Sequence, residues 1–152
     1  AIGWLEIFEN LIITRTFSKA YGLAGLRVGY SICNSKISDY INRVREPFNV
    51  NNTAQVAAIA ALSDIDFLQE SVNINNDGSE QLVDGFKLLD LKYIPSFANF
   101  IAVKFNDALQ TYNDLLREGV IVRPVEMSNY LRISIGTAKE NEHLLSALKK
   151  IL

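Results

Sequence analysis

The side chains that most often hold transition metals are almost missing from this 152-residue chain, which has one cysteine and one histidine. Cys33 alone forms no internal disulfide and no thiolate metal cluster, and its solitude fits a reducing compartment. His143 lies between Glu142 and Leu144 in a helical pattern, where a solvated or half-packed side chain is the natural reading. Asp64, Asp66 and Glu70 suit helix capping and a solvated face, so no metal is expected. No apolar run reaches the roughly 20 residues needed to span a bilayer. The first residues also lack the basic-then-apolar order of a secretory leader, which makes the cytoplasm the expected location. Charge is scarce as well. Fifteen basic against seventeen acidic residues leave a formal charge of −2, without the clustered lysine and arginine of a nucleic-acid surface. Neither nucleic acid nor membrane is therefore expected as a partner.

What remains is a composition of 49% hydrophobic and 21% charged residues, suited to a soluble globular domain or a piece of a larger one. Leu11–Thr14 and Leu26–Tyr30 read as short strands on either side of a glycine-containing loop. Ser35 is placed to cap a helix with Ile37, Tyr40, Ile41 and Val44 on one side, ended by Pro47. Thr53 opens an alanine-rich helix to about Leu62, and a long polar stretch, helical in large part, leads to a clearer helix face at Leu82, Val83, Phe86 and Leu89. From Tyr93 the pattern predicts strand, helix, strand, strand, helix. The strands are Asn99–Phe105, Val120–Val122 and Leu131–Ile135, and the first helix has Leu109, Tyr112, Leu115 and Leu116 on one face and Gly119 at its end. Thr137 and Glu140 have the spacing of a capping box before a closing helix with Leu144, Leu145, Leu148 and Ile151. The chain thus reads as α/β, with a boundary between Leu62 and Leu82, taken as residues 1–65 and 66–152.

The stretch Thr16-Phe17-Ser18-Lys19-Ala20-Tyr21-Gly22-Leu23-Ala24-Gly25-Leu26-Arg27-Val28-Gly29-Tyr30 carries the chemistry. Lys19 sits just past a strand, with hydroxyls one and three residues before it and an arginine eight residues after it. Pyridoxal phosphate needs that set. An amine must attack its aldehyde, so it must be partly desolvated and able to deprotonate. Its phosphate dianion suits short hydroxyl donors and the planar fork of an arginine. Gly22 and Gly25 are placed to let the connection turn tightly.

This string resembles the lysine segment of the fold-type I, class I/II pyridoxal-phosphate-dependent aminotransferases. Tyr93–Phe100, Gly119–Pro124 and Leu131–Thr137 extend the resemblance over nearly the whole chain, toward the histidinol-phosphate aminotransferases. It implies the end of a large cofactor-binding domain followed by a small C-terminal α/β domain of the aspartate aminotransferase-like fold. It makes Lys19 the cofactor-bearing lysine and proton shuttle, and Thr16, Ser18 and Arg27 ligands of the cofactor phosphate. Arg132 becomes the clamp for the substrate anion, Arg123 a second anion contact, and Asn99 a polar residue beside the substrate. The implied substrates are histidinol phosphate and the glutamate/2-oxoglutarate pair, and the implied assembly is a homodimer. The family's glycine-serine phosphate loop and ring-binding asparagine, aspartate and tyrosine precede the lysine segment. The chain is therefore expected to be the C-terminal portion of a longer enzyme and inactive by itself. An aromatic amino-acid aminotransferase, a threonine-phosphate decarboxylase and a noncatalytic, self-associating fragment are the rival readings.

Overall fold

The computed structural model describes all residues, Ala1–Leu152. They form two compact units, Ala1–Gln69 and Glu70–Leu152. In the first, β1 (Ile13–Thr16) pairs antiparallel with β2 (Gly29–Ile32) in the register Ile13↔Ile32 to Thr16↔Gly29. Both strands lie two to three residues later than the apolar runs suggest. Phe17, Val28, Ala54 and Ala58 form the buried cluster of this unit. The last two come from α2 (Asn52–Ser63), which packs through its small side chains and leaves Val56, Ile59 and Leu62 exposed. α1 (Ser35–Val44) is capped by Asn34, whose side-chain oxygen accepts from the Ile37 N–H, and α2 by Asn51 in the same way. The caps therefore lie one residue before the expected Ser35 and two before Thr53, because asparagine fills this position as well as serine does.

A single long helix, α3 (Ile65–Leu88), runs through the polar stretch and buries Gly78, Leu82 and Phe86. The second unit is a four-stranded antiparallel sheet in the order β3-β4-β6-β5, formed by β3 (Lys92–Ile94), β4 (Phe100–Lys104), β5 (Arg123–Pro124) and β6 (Tyr130–Ser134). Its core joins Ile101 and Val103 of β4 and Leu131 and Ile133 of β6 to three helices. These contribute Leu82 and Phe86 of α3, Leu115 of α4 (Ala108–Arg117), and Leu144, Ala147 and Leu148 of α5 (Ala138–Ile151). Val120 and Val122 are also buried there, but Val120–Val122 is not a strand; only Arg123 and Pro124 reach β6. Leu109 and Leu116, expected on the packed face of α4, are exposed. α5 opens with the full capping box of Thr137 and Glu140. Hydrogen bonds from the Thr137 backbone and hydroxyl hold the Glu140 carboxyl below its ordinary range.

Asn141, only 2% exposed, ties α3 to the β6–α5 corner. Its amide nitrogen faces the Gly78 carbonyl, the Gln81 side-chain oxygen and the Gly136 carbonyl, while its side-chain oxygen accepts from the Gly136 N–H.

Glycine is required sterically at Gly29, where an added Cβ would lie 2.7 Å from the Arg15 carbonyl oxygen. Gly25 is different: a Cβ there meets nothing within 4 Å and the backbone keeps φ out of the left-handed region, so the expected tight turn does not depend on it. Gly29→Ala is expected to destabilise the chain by about 1–3 kcal/mol, as overpacking against an immovable atom does, while Gly25→Ala stays within about 0.5 kcal/mol. Urea unfolding midpoints of the two variants check this.

Candidate functional site

Phe17 organises the N-terminal site. It is 4% exposed, its N–H donates to the Val28 carbonyl at 3.2 Å, and its own carbonyl accepts from Leu23 at 3.0 Å. Its ring packs on Tyr21 and Tyr30 at 4.9 and 5.8 Å between centroids. With Phe17 turned inward, its neighbours Thr16 and Ser18 are held outside the cluster. The Thr16 hydroxyl oxygen accepts from the Ser18 N–H at 3.0 Å, which leaves the hydroxyl proton available to donate outward. Lys19 follows at the start of a turn closed by the Gly22 N–H on the Lys19 carbonyl at 2.8 Å, with Gly22 at φ 70°.

Arg27 adopts a left-handed backbone, φ 54° and ψ 48°, directly after a short 3₁₀ turn at Ala24–Leu26. That conformation is uncommon outside glycine, asparagine and aspartate, and such strain collects at functional positions. One guanidinium nitrogen donates to the Ala24 carbonyl at 2.9 Å; the remaining N–H groups make no hydrogen bond within the chain. Thr16, Ser18 and Arg27 line one cleft of about 600 Å³. Arg45 also lines it and is held by the side-chain oxygens of Asn42 and Asn49 at 2.8 and 3.0 Å. Nothing in the local sequence distinguishes Arg45 from an ordinary charge at a helix end. Lys19 stands outside the cleft wall and is exposed, so the desolvation expected of its amine is not supplied by this chain's own packing.

The second set of residues lies on the sheet of the C-terminal unit. The alternation that buries Ile101, Val103, Leu131 and Ile133 turns Phe100, Ala102, Arg132 and Ser134 to the opposite face. The pairing there sets Ala102 opposite Arg132 and Arg132 opposite Arg123, with Lys92 opposite Lys104 further along. Directly opposed residues share a face, with Cβ atoms about 4.5–5.5 Å apart. The strands contain no aspartate or glutamate, and neither Arg123 nor Arg132 makes an ion pair or side-chain hydrogen bond. Arg132 instead lies over the Phe100 ring, 4.3 Å from Cζ to the centroid. Asn99, just before β4, accepts the Ile135 N–H with its carbonyl at 3.0 Å and is exposed.

Opposed like charges weaken a sheet, so this face bears a cost that an anion would offset. Arg123→Gln is expected to stabilise the chain by about 0.2–1 kcal/mol at low salt, a gain that fades as added salt screens the pair. Thermal melts at two ionic strengths check this.

The chain is similar to known proteins over nearly its whole length. The family model for aminotransferase class I and II matches residues 2–148. A histidinol-phosphate aminotransferase of Methylobacillus flagellatus is 50% identical over 155 residues, covering 100% of this chain and 42% of that protein. Among solved structures, the histidinol-phosphate aminotransferase of Clostridium acetobutylicum superposes with a TM-score of 0.91 at 25% identity, over 99% of this chain and 48% of that one. The enzyme of the same description from Sinorhizobium meliloti, in complex with pyridoxal-5'-phosphate, gives 0.82 at 31% identity over 93% of this chain and 41% of that one. The chain therefore spans about two fifths of the length of the curated relatives it matches.

Proposed function

The chain belongs to the aminotransferase class I and II family, and from that premise we propose that it is the C-terminal portion of a pyridoxal-phosphate-dependent histidinol-phosphate aminotransferase of histidine biosynthesis, with glutamate and 2-oxoglutarate as the other substrate pair. Residues 1–65 end its large domain and residues 66–152 form its small one. The enzyme works as a cytoplasmic homodimer. The observation that carries this reading is the placement of Lys19 one residue beyond the Thr16–Ser18 turn, in a segment that returns to Arg27 on the same cleft.

The residues present fit the cofactor. Thr16 and Ser18 offer hydroxyl donors, and Arg27 offers a fork with most of its N–H groups unused, the donor set a phosphate dianion requires. Pyridoxal phosphate, when bound, supplies an aldehyde that takes up amines and a ring that accepts electrons. Lys19 would hold it through Nζ, and the same atom would carry the proton at the substrate carbon. Arg132 grips the anion beside that carbon, a carboxylate in glutamate and a phosphate in histidinol phosphate. A guanidinium fork accommodates both, which a lysine ammonium does less well. Arg123 adds a second positive charge on the same face, and Asn99 a polar contact.

Borohydride reduction of the full-length enzyme, followed by peptide mapping, is expected to place the pyridoxyl group on Lys19; recovery on Lys36 would refute the assignment. Arg132→Ala is expected to slow both half-reactions, each by roughly ten- to a hundredfold, the loss of about 1.5–3 kcal/mol that follows removal of a charged hydrogen-bond partner. Arg123→Ala should act unevenly, because glutamate's second carboxylate needs a cation where histidinol phosphate presents imidazole. Single-turnover kinetics on each half-reaction separates the two; equal small effects would make both arginines surface charges.

A further inference from the structure

Arg132 is half-buried, yet no carboxylate, carbonyl or hydroxyl of the chain holds its guanidinium. What it touches is Phe100. Its Cζ stands 4.3 Å from the ring centroid, well inside the 5.9 Å of the looser Arg43–Tyr40 contact. The register explains the meeting. Phe100 faces Ser134 and Arg132 faces Ala102, so the two are diagonal neighbours on the outer face of β4 and β6. Ala102, opposite Arg132, carries only a methyl group and so does not crowd the arginine stem. On the other side Arg123 lies directly opposite, and its like charge favours the position toward the ring.

We propose that Phe100 is a positioning residue for anion binding: its ring seats the Arg132 guanidinium so that the N–H edge points outward to one planar carboxylate or phosphate. This rests on the reading of Arg132 as the substrate-anion clamp. A carboxylate partner would also have fixed the arginine, but it would have occupied the fork and cancelled the charge. An aromatic face does neither. It attracts the cation, keeps water off one side and leaves the N–H donors unused. An arginine already seated has less rotamer freedom to lose when the anion arrives, and that is a gain in affinity.

The test uses the full-length holoenzyme, whose cofactor fills its own phosphate cleft. Phe100→Leu keeps apolar bulk and removes the ring face, while Phe100→Tyr keeps the face. Inorganic phosphate is titrated calorimetrically at fixed ionic strength, and KM and kcat are measured for histidinol phosphate and for glutamate. Phe100→Leu is expected to weaken phosphate binding and raise both KM values by roughly three- to tenfold, with kcat within about twofold, and Phe100→Tyr to restore the parent values. Thermal melts verify folding, with Phe100→Met as the replacement if the leucine variant unfolds. Phosphate affinity unchanged in Phe100→Leu, but lost in Arg132→Ala, overturns the proposal and makes Phe100 mere packing. Affinity unchanged in Arg132→Ala as well shows that the reading of Arg132 is at fault, and the proposal falls with it.

Discussion

Ile101 lies opposite Ile133 and Val103 opposite Leu131, and none of the four is more than 1% exposed. Because a strand alternates its side chains strictly, burying these four forces Arg132 and Phe100 onto the other face. A slip of one residue in the pairing would drive the guanidinium into the core and expose the isoleucines, at a cost no cap or surface ion pair offsets. The register of β4 on β6 is thus held by apolar burial at one face while it sets the arrangement of charges at the other. Leu82, Phe86, Leu115 and Leu148 supply the surface against which that burial occurs.

The N-terminal unit uses the same device on a smaller scale. Phe17 is fixed by two backbone hydrogen bonds and two aromatic neighbours, and its inward turn leaves Thr16, Ser18 and Lys19 displayed around it. Gly29 lets the partner strand come close enough for the Phe17 N–H to reach Val28. In both units an apolar residue that does no chemistry determines where the polar ones stand.

The lysine segment was legible in the sequence because its information is local: residue types at fixed spacings across one strand–turn–strand. The capping box at Thr137 and Glu140 was legible for the same reason. Where tertiary packing decides, the local signal misled. Val120–Val122 has the composition of a strand, but its valines fill the core from a connection whose backbone does not pair. Lys92–Ile94 is three residues long and stops before Pro95, too little for a strand signal, and it exists because Tyr93 and Ile94 pair with Val103 and Ala102. The polar stretch is helical, as expected, although Gly78 in its middle has low helix propensity. That glycine stands where a Cβ would meet Asn141, Gly136 and Ile135 at 2.8 Å, so close packing chose it over helix propensity. The seat of Arg132 on Phe100 belongs to the register between strands some thirty residues apart, which no local pattern displays.

Among the positions that break local rules, two are ones the functional reading needs. Arg27 takes a left-handed backbone although it has a Cβ, and two arginines face each other across a strand pair with no acid between them. Both arrangements raise the energy of the folded chain slightly, and no carboxylate of the chain neutralises either. A protein keeps such features where the cost is offset in the bound state, since a guanidinium already deprived of internal partners has no hydrogen bond to break before it grips an anion. Leaving Arg132 without a carboxylate therefore serves recognition at the expense of stability. An aromatic seat is the contact that limits this expense without using the charge.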